Sequence, residues 1–211
     1  KVAIGTCLQK LWLTDEAITK LEKWMPQEDD AFLMEKFKVQ IRSLGRAYID
    51  RQAYEKAIRQ LKLVSEIPRI EERQIDAMEI AFCQAMLGKA KQSREWLTKA
   101  HSRDAENDRS LCIGELAEAI NSWNANQKAD AERFLAQAMA RIADAQGSRK
   151  SHINRLDRHI QFGLYRLSKV VAERLKSEKA ITECVKRMDV ILSELIPQGA
   201  LVPRSRVSSP T

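Results

Sequence analysis

The sequence predicts an all-α protein, built as an array of about four antiparallel helical hairpins followed by a C-terminal helix pair. Three observations lead to this prediction. Apolar residues recur at the three- and four-residue spacing of a helix face. Similar hairpins recur at a nearly regular spacing along the chain. No stretch alternates apolar and polar residues with enrichment in β-branched side chains, so no strand is predicted.

The hairpin between residues 37 and 68 is the best defined. A polar break at residues 49–52 separates its two apolar helix faces, and Pro68 follows the second helix. Two short amphipathic helices bury their apolar stripes only by packing on each other and on neighbours. The small residues Gly45 and Ala57 are expected where the two backbones approach closely. The apolar positions are Phe37, Ile41, Leu44 and Tyr48, then Tyr54, Ala57, Ile58, Leu61 and Val64.

This hairpin resembles a tetratricopeptide repeat (TPR), whose pattern is W-x2-L-G-x2-Y followed by Ala, Phe and Pro. The resemblance implies a right-handed solenoid of helical hairpins. The spacing between copies is longer than the family's period of about 34 residues, so an irregular TPR-like array of the kind found in bacterial regulators stands beside a regular one. The matching positions are Ile41 (for Trp), Leu44-Gly45, Tyr48, Ala57, Leu61 (for Phe) and Pro68.

Other copies of the hairpin follow from the same register. The place of Leu44-Gly45 is taken by Ile4-Gly5 in the preceding copy, and by Ile80-Ala81 and Leu116-Ala117 in the following ones. We therefore assign residues 1–145 to TPR-like repeats, the first truncated at its N-terminus. Residues 150–196 form either a further repeat or a capping helix pair. The predicted helices span residues 14–25, 29 or 30 to 50, 54–66, 69–87, 93–101, 106–124, 128–144, 151–176 and 178–195. The tryptophans are expected to fill space between these helices.

The two ends of the chain carry expectations of their own. Lys1 is not an initiator methionine, so we expect a fragment of a longer protein whose cut edge favours self-association into a homo-oligomer. Residues 197–211 are rich in Pro, Ser and Arg, which predicts a flexible tail. Residues 201–204 resemble the thrombin-site tetrapeptide of expression vectors, so this tail is either native or vector-derived.

The chain is basic, with 36 Lys and Arg against 29 Asp and Glu and a net charge of +7. The excess lies between Arg141 and Arg187. A solvated helix face, a contact with an acidic protein and a phosphate-binding surface all fit such a run. Nucleic acid is the least favoured partner, because only Phe162 and Tyr165 offer aromatic rings for stacking there.

Catalysis is not predicted. The sequence has no Gly-rich phosphate loop, nucleophile elbow or metalloprotease motif, and no cofactor or metal is expected. His152 and His159 are spaced too widely for a helical metal pair. The four cysteines are far apart, which favours free thiols in a reducing compartment. No signal peptide or membrane span is predicted, so we expect a cytoplasmic protein that does not bind membranes.

The TPR resemblance implies a partner-binding groove lined by the first helix of each hairpin. Arg42 and Arg46 lie one turn apart and outside the packing register, so we expect both to point into the groove and to bind carboxylates of an acidic segment. Apolar neighbours would supply adaptable contacts. The alternative is that the following helix buries this apolar patch. The candidate residues are Arg42, Arg46, Ile49, Asp50, Met78, Phe82, Met86 and Asn121.

The expected function is a protein–protein interaction scaffold within a larger protein, binding a peptide or partner protein in this groove. The first alternative is a sensor or effector module of a bacterial signalling or transcription regulator. The second alternative, nucleic-acid binding through the basic C-terminal helices, is weaker because stacking residues are scarce there.

Overall fold

The computed structural model describes residues 14–25, 36–65, 73–101, 108–147 and 158–195. Within these ranges all regular secondary structure is helical, so the all-α prediction is confirmed for this part of the chain. The helices are α1 Thr14–Glu22, α2 Lys38–Asp50, α3 Tyr54–Ser65, α4 Arg73–Met86, α5 Ala90–His101, α6 Asp108–Asn124, α7 Lys128–Gly147, α8 Arg158–Arg174 and α9 Glu178–Leu195.

Sequential helices pack in pairs. The hairpins are α2–α3, α4–α5, α6–α7 and α8–α9, and α1 packs on α2 as the second helix of a preceding unit would. Each hairpin also contacts the next one along the chain, since α3 packs on α4, α4 on α6, and α8 on α6 and α7. The predicted pairing of neighbours in sequence is therefore the pairing in space.

The turns of these four hairpins share one backbone conformation. Gln52, Gly88, Asn126 and Lys176 have φ of 58, 75, 62 and 57°, in the left-handed region that usually needs glycine. In the first turn the Gln52 N–H donates to the Ile49 carbonyl and the Ala53 N–H to the Tyr48 carbonyl, both at 2.9 Å. This is the Schellman pattern, and the other three turns repeat it. In the first three turns, the left-handed residues keep the spacing of the repeated hairpins in the sequence.

Small residues stand where helices come closest. A Cβ at Gly45 would lie 2.9 Å from both Cγ and Cδ2 of Leu61 on the paired helix, closer than side-chain atoms pack. Ala57 is fully buried in the same interface. The predicted close approach of α2 and α3 is therefore confirmed. A second one joins successive hairpins, because a Cβ at Gly114 on α6 would lie 3.1 Å from Sδ of Met78 on α4.

Helix α4 lies at the centre of the packed helices. Every side chain from Gln74 to Met86 is buried, which is typical of a helix covered on all sides. Two of these side chains, Asp76 and Glu79, are acidic. A carboxylate is costly to bury unless it is paired with a cation, so α4 requires cations from its neighbours.

Several expectations from the sequence are changed by the structure or fall outside the described residues. Helix α5 begins at Ala90, not residue 93, because the turn at Gly88 leads directly into it. We expected the tryptophans to fill space between helices, but Trp24 is 43% exposed. The leading helix of the truncated first repeat, the tail at 197–211 and the predicted helix starts at 29, 69 and 151 lie outside the described ranges.

Candidate functional site

Three charged residues of α2 lie on one helix face. Arg42, Arg46 and Asp50 are spaced four residues apart, so their side chains follow one another along the helix. The two arginines meet acidic residues of α4, and Asp50 meets an arginine of α8. The face that they form is the starting point of the site.

Arg42 pairs with Asp76 of α4. Its Nε lies 2.7 Å from Oδ1 and its Nη2 lies 2.8 Å from Oδ2, so both carboxylate oxygens accept a hydrogen bond. Both side chains are buried. Burial raises the pKa of the Asp76 carboxyl above its ordinary value, while the hydrogen bonds from Arg42 act in the opposite direction. The planar guanidinium fork suits this two-bond geometry, which a lysine could not reproduce.

Glu79 joins three helices. Its Oε1 lies 2.8 Å from Nε of Arg46 on α2 and 3.2 Å from Nη2 of Arg109 on α6. The carboxylate itself is buried, whereas the two arginines keep a share of solvent contact. One acidic residue of the central helix therefore links the first helices of three successive hairpins.

Asp50 links the first described hairpin to the last. Its Oδ1 lies 3.7 Å from Nη1 of Arg166 on α8. Asp50 is the last residue of α2, where the helix dipole disfavours an anion. Burial, and then the charge of Glu79, raise the pKa of Asp50 to about 6, although the charges of Arg166 and Arg46 oppose the shift. We call this group the ionic cluster. It comprises Arg42, Arg46, Asp50, Asp76, Glu79, Arg109 and Arg166.

The structure brings together only part of the residues proposed from the sequence. Arg42, Arg46 and Asp50 lie in the ionic cluster, but the expectation that both arginines point into an open groove is wrong for Arg42, which is buried against Asp76. The apolar patch is also buried, as the alternative held, because α4 is enclosed by its neighbours. Its members are Ile49 of α2 and Met78, Phe82 and Met86 of α4.

Asn121 lies elsewhere on the array. It follows Arg109 by twelve residues on α6, which is roughly 18 Å along a helix. Its side chain is fully buried and its Nδ2 donates to the Ser93 hydroxyl at 3.0 Å. Asn121 therefore stabilises the contact between α5 and α6, and its proposed role in a groove stays a prediction.

The sequence reasoning missed four members of the ionic cluster, namely Asp76, Glu79, Arg109 and Arg166. A signal for the first two was present. Asp76 and Glu79 interrupt an otherwise apolar helix and follow Arg42 and Arg46 by 34 and 33 residues. An acid inside an apolar helix, one hairpin after an arginine, indicates a buried ion pair.

Three basic residues of the C-terminal hairpin also have acidic partners. Nε of Arg158 lies 2.7 Å from Glu194, and Nε of Arg187 lies 2.7 Å from Glu183. Lys169 pairs with Glu173 one turn along α8. These pairs are partly exposed, as expected for a solvated helix face. The positive charge of each of these three side chains is therefore balanced by a nearby carboxylate.

The cysteines of the described residues are enclosed by the helices. Cys83, Cys112 and Cys184 are free and buried, and burial raises the pKa of the Cys184 thiol to about 12, so its thiolate is scarce. Across the described ranges, His, Cys, Asp and Glu nowhere assemble into a group of three suited to a metal ion. His152 lies outside these ranges. None of the described helices combines the length and apolar character needed to cross a bilayer.

The ionic cluster thus couples several hairpins through charge. Its arginines are suited to carboxylate recognition, and its carboxylates already occupy part of that capacity. Comparison of the chain with protein-family models, with curated proteins and with solved structures found no match in any of the three.

Proposed function

We propose that the chain is a TPR-like helical-repeat module which binds an acidic segment of a partner protein at the exposed edge of the ionic cluster, without catalysis. The repeat character is supported by the hairpins that pack in sequence order and by the left-handed turn that recurs once in each described hairpin. Arrays of this kind present surfaces made by several consecutive units.

The observation that carries the proposal is the solvent-facing edge of three arginines from three helices. The side chains of Arg46, Arg109 and Arg166 are 20%, 17% and 29% exposed. Arg46 and Arg109 already meet at one carboxylate, and Arg166 lies beside Asp50, one turn further along α2. Guanidinium groups held in this way lose little entropy on gripping a further carboxylate.

A protein partner fits this edge better than a nucleic acid does. The edge contains Glu79 and Asp50, which would repel a run of phosphates, whereas a peptide can place single carboxylates between them. Three basic residues of α8 and α9, namely Arg158, Lys169 and Arg187, are engaged in pairs with acidic residues, which reduces their value as a phosphate surface.

The Asp50–Arg166 contact favours a second candidate function, the sensor or effector module. A ligand that alters this contact would change the relation between the first and last described hairpins. Such a change could be passed to a domain attached elsewhere in a larger protein. Partner binding and the transmission of such a change involve the same arginines. The peptide titration described next therefore tests both candidate functions.

The test is a titration of a fluorescein-labelled peptide of twelve residues, made of glutamate and leucine in equal number, followed by anisotropy at low ionic strength. We expect binding that weakens about tenfold in the Arg109→Gln variant, since one charge-assisted contact is lost. The matched control is Arg133→Gln on α7, whose exposed pair with Asp130 lies outside the cluster. It should bind as the parent protein does.

The proposal fails if a folded parent protein does not bind the peptide, or if the two variants lose affinity equally. A peptide of the same length with lysine in place of glutamate controls for nonspecific apolar binding. Circular dichroism of each variant separates loss of binding from loss of fold.

A further inference from the structure

The last hairpin shares the apolar core of the array through α6 and α7, but it meets the first hairpin by a different kind of contact. Within α2–α7, the ion pairs Arg42–Asp76 and Arg46–Glu79 have distances of 2.7 and 2.8 Å, and α4 is buried along its length. Helix α8 packs on α6 and α7 and reaches α2 through the 3.7 Å contact of Arg166 with Asp50. That distance exceeds a hydrogen bond.

Polar groups at this contact are imperfectly satisfied. Nη1 of Arg166 is enclosed, yet makes no hydrogen bond to the described residues. Buried donors without acceptors disfavour the closed arrangement. At the end of α8, Arg174 lies near enough to Tyr54 for its charge to oppose the effect of burial, which raises the pKa of Tyr54 to about 12.

Hairpin α8–α9 therefore lies against the first hairpin through charged and partly exposed groups. A contact of this kind between two elements opens more readily than the apolar core does. The edge that they border is the exposed edge of the ionic cluster, because Arg166 of α8 contacts Asp50, which follows Arg46 by one turn on α2.

We propose that α8–α9 is a lid on the ionic cluster, held by the contact between Asp50 and Arg166, and that its displacement admits the acidic segment. The lid itself stands on the contacts described here, while the identity of the ligand rests on the proposed function. A carboxylate of the incoming segment would replace Asp50 as the partner of Arg166. Binding and opening are then coupled, since the ligand prefers the open state.

Hydrogen exchange followed by mass spectrometry on the full chain tests the lid. The Arg166→Gln variant removes the cation of α8 that faces Asp50. We expect about tenfold faster exchange in peptides from α8 and α9, and unchanged exchange in α4 and α6. The matched control is Arg158→Gln, on the same helix, whose pair with Glu194 lies within the C-terminal hairpin. It should exchange as the parent protein does.

A double variant, Asp50→Asn with Arg166→Gln, separates charge from packing. It replaces an ion pair with two amides, so it should restore much of the protection lost in Arg166→Gln. The lid is overturned if exchange rises equally in α4 and α6, if Arg166→Gln matches Arg158→Gln, or if the double variant stays as open as the single one.

The same variants distinguish a failure of the lid proposal from a failure of the proposed function. The glutamate–leucine peptide described above should slow exchange in α4 and α6 and speed it in α9. If Arg166→Gln opens α8–α9 locally but no peptide binds, the lid stands and the proposed function fails. If the peptide binds but the exchange rates of α8 and α9 always change together with that of α4, the proposed function stands and the lid fails.

Discussion

Arg42 and Asp76 meet through two hydrogen bonds of 2.7 and 2.8 Å, although they lie in different hairpins and 34 residues apart. Sequence reasoning expected Arg42 to offer its guanidinium to the carboxylate of a partner. The chain supplies that carboxylate itself, from the next hairpin. The guanidinium of Arg42 is therefore occupied by a carboxylate of the same chain.

This pair leads to a prediction about stability. Arg42→Ala or Asp76→Ala should each lower the free energy of unfolding by about 3–5 kcal/mol, because each leaves one buried charge without its partner. The double variant Arg42→Met with Asp76→Leu should recover most of the loss, since apolar side chains of similar volume need no counter-charge. Urea unfolding followed by circular dichroism measures both effects.

An exposed pair provides the control. Arg133→Ala removes a partner of Asp130 on α7 and should change the free energy of unfolding by less than about 1 kcal/mol. Arg42→Glu with Arg46→Glu should lower the melting temperature strongly, because it places a like charge beside the buried Asp76. An unchanged melting temperature would contradict the structure.

Replacing two glycines by alanine should change the stability of the protein in opposite directions. Gly45→Ala places a methyl group 2.9 Å from the fully buried Leu61. Overpacking costs of about 1–3 kcal/mol exceed the gain of about 1 kcal/mol in helix propensity. Gly163→Ala in α8 meets nothing within 4 Å and should stabilise by about 0.5–1 kcal/mol. Thermal unfolding of the two variants tests the close approach directly, and equal shifts would rule it out.

The left-handed turn residues give a third prediction. Lys176 is exposed and has a φ of 57°, where an L side chain is strained. Lys176→Gly should therefore stabilise by about 0.5–1 kcal/mol, and Gly88→Ala should destabilise by about 1 kcal/mol. Chemical denaturation resolves both changes. A Gly88→Ala variant as stable as its parent would contradict the left-handed conformation.

The pH dependence of stability provides a fourth prediction, at Asp50. Its pKa is raised from 3.8 to about 6 in the folded protein, so the folded state binds this proton more tightly than the unfolded state does. This pKa shift contributes at most about 3 kcal/mol to the free energy of unfolding. The contribution is fully present below about pH 4 and is lost as the pH rises to about 6. Arg166, Arg46 and Glu79 are the charged groups that surround it.

The measurement compares the parent protein with Asp50→Asn. Since asparagine does not titrate, the variant lacks this loss, and the difference in unfolding free energy should move in its favour between about pH 4 and about pH 6. Asp76 also has a raised pKa, but it is present in both proteins and cancels in the comparison. Parallel pH profiles would show that Asp50 is not buried as described.

The sequence predicts what depends on short-range periodicity. The pairing of α2 with α3, the role of Gly45 and the position of the turn at Gly88 all follow from residues within one hairpin. Helix faces are fixed by the period of the α-helix, which can be measured on the chain alone. The same register correctly placed Arg42 and Arg46 on one side of α2.

The environment of that side could not be predicted in the same way. Whether Met78 and Phe82 line an open groove depends on how closely successive hairpins approach, and in the structure they are buried. The Asp50–Arg166 contact joins the first and last described hairpins, with two others between them in the sequence. Contacts of this range depend on small rotations between units that accumulate along an array, and no local pattern encodes them.

The recurring turn has a consequence for how this chain tolerates changes in length. Different residues occupy the left-handed position in each described turn, yet the hydrogen-bond pattern is the same in all four. The interval from Asn126 to Lys176 is longer than that from Gln52 to Gly88, while the turn itself keeps its size. Insertions are therefore accommodated between turns, where added chain can form a loop. One extra residue inside a turn would instead rotate the second helix by about 100° and remove its apolar face from the core.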